Sequence, residues 1–181
     1  MKLSLRAFLL TLLVLPGLLC AADQKGAEAT KKPVSADIVV PKGTKPDDEQ
    51  IGNVRVKYED STKDLWTTKF NCSLPRVAPD GTVGWTVHED AKKIAASYTV
   101  RPNGTLVLCR QGKVFATIKS GRGFVEEWQF IDKGAHLVLV TRGAHGPADI
   151  ELHDVANGKL LKSVKPTDEH LPTWAKPYED R

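Results

Sequence analysis

The sequence predicts an all-β fold built from antiparallel meander units. Two observations carry this. Residues 127–164 read as four short strands with three turns. Residues 75–118 then repeat the same rhythm, with Pro79-Asp80-Gly81 standing ~52 residues before the turn Asp132-Lys133-Gly134. A shorter stretch, 54–70, resembles the last two strands of such a unit.

The best-defined unit is 127–164. Trp128, Phe130 and Ile131 are apolar around Gln129 and open it with a strand. Asp132-Lys133-Gly134 is a turn signal, because Gly accepts positive φ and Asp can bond its own backbone. Residues 136–141, HLVLVT, have the continuous apolar character of a strand buried on both faces. Residues 142–148 contain Gly143, Gly146 and Pro147 and cannot extend a sheet interior. Residues 149–155 alternate, with Ile150, Leu152 and Val155 set against Glu151, His153 and Asp154. Asn157-Gly158 is the pair favoured in a tight hairpin, and 160–164 closes the unit.

In the earlier copy, Arg76-Val77-Ala78, the turn at Pro79-Asp80-Gly81 and the strand 82–87 come first. A longer excursion, 88–96, and a strand at 97–101 follow. Strands at 105–110 and 114–118 flank the turn Gln111-Gly112-Lys113. The first piece has the alternating strand 54–58, a turn over 59–63 and a strand at 65–70. Trp66, Trp85 and Trp128 are expected in the core of a domain spanning 51–166.

The turn at 132–134, the strong strand 136–140 and the run LHDVANGK at 152–159 are similar to the repeat of the WD-type and TolB-like β-propeller families. The resemblance implies blade topology and, for function, a protein partner; propellers host many functions. Half a blade, one elaborated blade and one further blade cannot close a ring that needs about four. The expected architecture is therefore an incomplete propeller, or a compact two-sheet or partly open barrel. Self-association is a second way to cover the edges.

Outside the domain, residues 1–22 have a basic start (Lys2, Arg6), an apolar stretch and small residues at the end, the pattern of a secretory signal peptide cleaved after Ala22 or Ala21. The protein is thus expected to be periplasmic or secreted. Acylation of Cys20 is a minority reading, because Leu19 stands where a lipobox wants a small residue. No second long apolar run follows, so no membrane span is expected in the mature chain. Residues 23–50 have the composition of a flexible linker, with a brief strand conceivable only at Ile38-Val39-Val40. The tail, 167–181, holds Leu171, Trp174 and Tyr178 among prolines and is expected to fold back over an exposed edge or to dock on a partner through Trp174.

Charge excludes one class of partner. Cleaving the leader lowers the basic count from 26 to 24 against 22 acidic residues. That balance gives no electrostatic case for nucleic acid. Cys72 and Cys109 are expected to form a disulfide after export. His136, His145 and His153 fall within one unit and form a metal or small-ligand site if they converge. The loop carrying Arg142 and His145 is Gly-rich, cationic and placed where binding residues usually sit. Asn71-Cys72-Ser73 and Asn103-Gly104-Thr105 match glycosylation acceptors. No nucleophile elbow, phosphate loop or dinucleotide fingerprint occurs, and no cofactor is expected. The function expected is a non-enzymatic binding or scaffolding module. Its contact surfaces would be the 88–96 excursion, the loop at 142–147 and the tail, with a ligand site at His136, His145 and His153 as the alternative.

Overall fold

The computed structural model describes residues 31–40, 42, 51–67, 71–89 and 102–181. The leader, most of the 23–50 stretch, most of the 88–96 excursion and the strand expected at 97–101 lie outside them.

The described chain is all-β, in three antiparallel sheets whose strands follow chain order. Sheet 1 holds β1 (Pro33–Val39), β2 (Asn53–Tyr58) and β3 (Lys63–Leu65). Sheet 2 holds β4 (Cys72–Val77), β5 (Val83–Val87), β6 (Thr105–Arg110) and β7 (Lys113–Lys119). Sheet 3 holds β8 (Phe124–Ile131), β9 (His136–Arg142), β10 (Asp149–Asp154) and β11 (Leu160–Val164). None of the three closes into a barrel. Sheets 2 and 3 are the two four-stranded meanders that the repeat predicts.

Side-chain alternation makes each sheet stick to the next. Val54 and Val56 of sheet 1 pack on Cys72, Val83, Trp85 and Cys109 of sheet 2. From sheet 2, Leu106, Leu108, Ala116 and Ile118 meet Val125, Trp128, Leu137 and Leu139 of sheet 3. On β9 the neighbouring Val138 and Val140 point the other way, into a third cluster with Ala148 and Ile150. A strand buried on both faces needs the unbroken HLVLV run that β9 has.

Trp128 ties sheet 3 to sheet 2. Its ring lies over Gly84, where any Cβ would stand 2.5 Å from ring atom Cη2. Its indole N–H donates to the Leu74 carbonyl at 2.9 Å. Leu74 sits in a bulge between Ser73 and Arg76, with φ of 49°. The bulge turns that carbonyl out of the ladder and toward the indole.

Three expectations need correction. Residues 33–39, inside the stretch that composition reads as a linker, form β1. Its backbone pairs with β2 from Pro33–Tyr58 to Val39–Asn53, and Ala36 and Ile38 pack on the first core. Gly52 permits the approach, since a Cβ there would stand 2.3 Å from the Val39 carbonyl oxygen. Composition cannot register stabilisation supplied by a strand elsewhere in the chain. Second, the tail covers a face, not an edge: Ala175 and Tyr178 are buried in the third cluster, with Leu171 and Trp174 packed beside them. Arg181 adds an ion pair to Glu127 at 2.7 Å.

Third, no disulfide joins Cys72 and Cys109, both of which are buried. Cys72 faces Val87 at one end of β5, and Cys109 faces Val83 at the other. They are two strands apart, about 9–10 Å, and offset along the strand as well. A disulfide needs Cα atoms within roughly 7 Å.

Candidate functional site

The histidines singled out by sequence do not converge. His136 starts β9 and sits 2.7 Å from the Asp132 carboxylate through Nδ1. His145 is exposed in the loop after β9, so the length of that strand, roughly 20 Å, separates the two. His153 is buried, with Nδ1 3.1 Å from the Gly158 carbonyl and Nε2 3.0 Å from Glu151. A carbonyl only accepts, so a hydrogen bond to Gly158 is donated by Nδ1. Both ring nitrogens are thus committed inside the protein. Among the described residues no group of three or more potential metal ligands assembles. Arg142 pairs with Glu126. Trp174 is a packing anchor of the third cluster.

The hairpin turns of sheets 2 and 3 meet at one end of the molecule. They frame an open cleft of about 430 Å³ lined by Asp80, Arg110, Asp132, Lys133, His136 and Asp154. The two turns equated by the sequence repeat touch there, with Gly134 against Ala78 and Asp80. Most of the charge is already engaged. Arg110 donates to Asp80 at 2.7 Å and to Thr82 at 2.8 Å. Asp132 holds His136, and Asp154 accepts from the Ala156 backbone N–H at 2.7 Å. The cleft works chiefly as a set of turn locks.

A buried cluster that sequence reasoning missed lies on β4 and β5. The Ser73 hydroxyl is 2.7 Å from both Thr86 Oγ1 and His88 Nε2. A Ser–His contact of this kind is the geometry of an activated nucleophile. Thr86 also donates to the Ser73 carbonyl at 3.1 Å, so the cluster ties β4 to β5. The cross-strand pairing of Ser73 with Thr86 was the only available signal, and it required the register.

What remains open to a partner is the rim. Among the described residues the exposed large hydrophobics are Val34, Leu65, Val114, Phe115, Leu160 and Leu161. Every one lies on an edge strand: β1, β3, β7 or β11. Leu160 and Leu161 are each 48% exposed. The rim is also basic. Lys113 and Lys119 stand at the two ends of β7, Lys162 lies within β11, and Lys159 and Lys165 flank it. Of these five, only Lys165 reaches a described carboxylate, Asp149 at 3.3 Å. Arg110 lies over the Phe115 ring at 5.1 Å from its centroid. No protein-family model matches the chain and no curated protein matches it, so the functional reading rests on these edge strands.

Proposed function

We propose that the protein is an exported, non-enzymatic binding module that accepts an extended segment of a partner protein as an added strand on the rim of its sheets. The observation that carries this is the placement of every exposed large hydrophobic among the described residues on an edge strand. An edge strand presents unpaired backbone N–H and C=O groups, and apolar side chains along it turn that row into a template for another chain. Strand addition draws its affinity from main-chain hydrogen bonds and its selectivity from alternate side chains. The leader supports export, and the likeness of the repeat to propeller blades supports a protein partner. Ser73 bonds Thr86 across β4 and β5, and His153 contacts the Gly158 carbonyl of the following turn.

The test is site-specific photocrosslinking in the exporting host. A photoreactive residue at 161 or 115 is expected to capture a protein partner, and one at 133, in the exposed turn before β9, is not. Equal capture at all three positions, or none at 161 and 115, counts against the rim. N-terminal sequencing of the exported form is expected to begin at Asp23.

A further inference from the structure

We infer that the segment accepted by β11 carries acidic residues at every third position, a proposal that rests on the strand-addition reading. Residues 159–165, KLLKSVK, hold Lys159, Lys162 and Lys165 and no carboxylate. All five strand residues of β11 are exposed or half-buried, so both faces are reachable. β10 occupies only one side of the strand, and the other is the edge of sheet 3. Lys159 and Lys162 make no ion pair with any described residue, and Lys165 shares Asp149 with Arg122.

Side chains alternate along a regular strand, so Lys162 and Lys165 lie on opposite faces, while the register shift that makes Leu161 an extra residue leaves Lys159 beyond a bulge. An added antiparallel strand meets Lys162 and Lys165 only if its own charges are spaced by three. Acids at those positions face lysines directly, and the residues between them lie along Leu160 and Leu161.

The same lysines reject a second copy of this chain. The run is symmetric about Lys162. Two copies paired antiparallel about that residue set Lys162 against Lys162 and Lys159 against Lys165, and like charges directly opposite are destabilising. Lysine on an edge is a common guard against self-pairing. Here it also selects the sign of the partner.

The experiment uses the full mature chain and three labelled heptapeptides: Glu-Val-Thr-Glu-Val-Thr-Glu and its Gln and Lys counterparts. Anisotropy titration gives affinity, and hydrogen exchange gives the site. The Glu peptide is expected to bind about tenfold tighter than the Gln peptide, through cross-strand charge pairs at Lys162 and Lys165 and the nearby charge of Lys159. It should weaken with added salt and protect the amides of 160–164. The double variant Lys159→Glu, Lys162→Glu is expected to reverse the preference toward the Lys peptide. Equal binding of Glu and Gln peptides, with protection at 160–164, overturns the charge inference and leaves strand addition standing. Binding of the Glu peptide without that protection, or equal binding of an isomer with proline at its central position, overturns both. Stronger competition by heparin than by the Glu peptide also overturns the inference, because it marks a general anion surface.

Discussion

At the scale of single residues, the protein spends its polar groups on joining strands, and it leaves no room where sheets cross. Gly84 shows the second point. Sheet 3 places the Trp128 ring so close that Gly84→Ala would put a Cβ 2.5 Å from Cη2 and 3.0 Å from Leu108. Both neighbours are fully buried and cannot swing clear. Thermal denaturation of Gly84→Ala is therefore expected to show a loss of about 1–3 kcal/mol, the usual cost of overpacking. Asp149 shows the first. The Arg122 guanidinium beside it holds its carboxyl below the ordinary carboxylate value, burial pulls the other way, and Lys165 adds to the lowering. A carboxyl with a lowered folded-state value contributes stability that is fully present above about pH 4 and is lost as pH falls through that value. Urea unfolding is expected to find Asp149→Asn less stable than the parent by about 1 kcal/mol at pH 7, a magnitude kept small because Arg122 is partly exposed. The gap should close as both proteins are acidified. A constant gap across pH would mean that packing and not charge holds that corner.

Elements differ in how far their own sequence announces them. Strands β9 to β11 are legible almost to the residue, because each is bounded by turns with specific backbone chemistry, while β8 begins at Phe124, three residues before the expected start. Gly81, Gly134 and Gly158 all adopt the positive φ that the turn residues predict. β1 is legible only at its end, Ile38-Val39: PVSADIV carries little apolar weight, and its order comes from β2 and from the space above Gly52. The cysteine pairing fails for a related reason. Spacing along the chain says nothing of which end of β5 each residue faces. The candidate site was read least well, since the histidines draw attention by type while the rim is defined by exposure, which no local pattern reports. Gly52 is the element-scale test. Its backbone also bridges to Cys72 in both directions, at 2.9 and 3.0 Å, and so joins sheet 1 to sheet 2. Gly52→Val is expected to unseat β1 selectively. Hydrogen exchange should then show fast amides over 33–39 and unchanged protection in β9. Uniform loss of protection would show that sheet 1 is not separable from the rest.

For the whole molecule, the question raised by the sequence is how two and a half blade-like units avoid the closure they cannot reach. The two ends of the stack answer it differently. The outward row of sheet 1 is mostly polar, with Asp37 paired to Arg55 at 2.6 Å and Lys57 beside Lys63, and exposed Leu65 opposite Arg55. The outward face of sheet 3 is apolar, with Val138, Val140 and Ile150 fully buried, and it owes that burial to residues 171–178 of the tail. The tail stands where a neighbouring sheet would otherwise pack, which makes its removal the decisive perturbation of the whole fold. A chain ending at residue 166 loses the cover of Leu171, Trp174, Ala175 and Tyr178. At roughly 1.5–3 kcal/mol for each fully buried large side chain, with Leu171 and Trp174 counted in part, the loss is about 3–6 kcal/mol. The exposed face is the kind of contiguous apolar patch that binds a partner or aggregates. The truncated chain is expected to bind an apolar dye and to self-associate by sedimentation at concentrations where the full mature chain does neither. Trp174→Ala alone should show a smaller fall in denaturation midpoint and no association, because Ala175 and Tyr178 still seal the centre. If the chain ending at 166 keeps the parent's midpoint and sedimentation, the tail is an ornament of the surface. The stability of the stack would then have to come from the two inter-sheet cores alone.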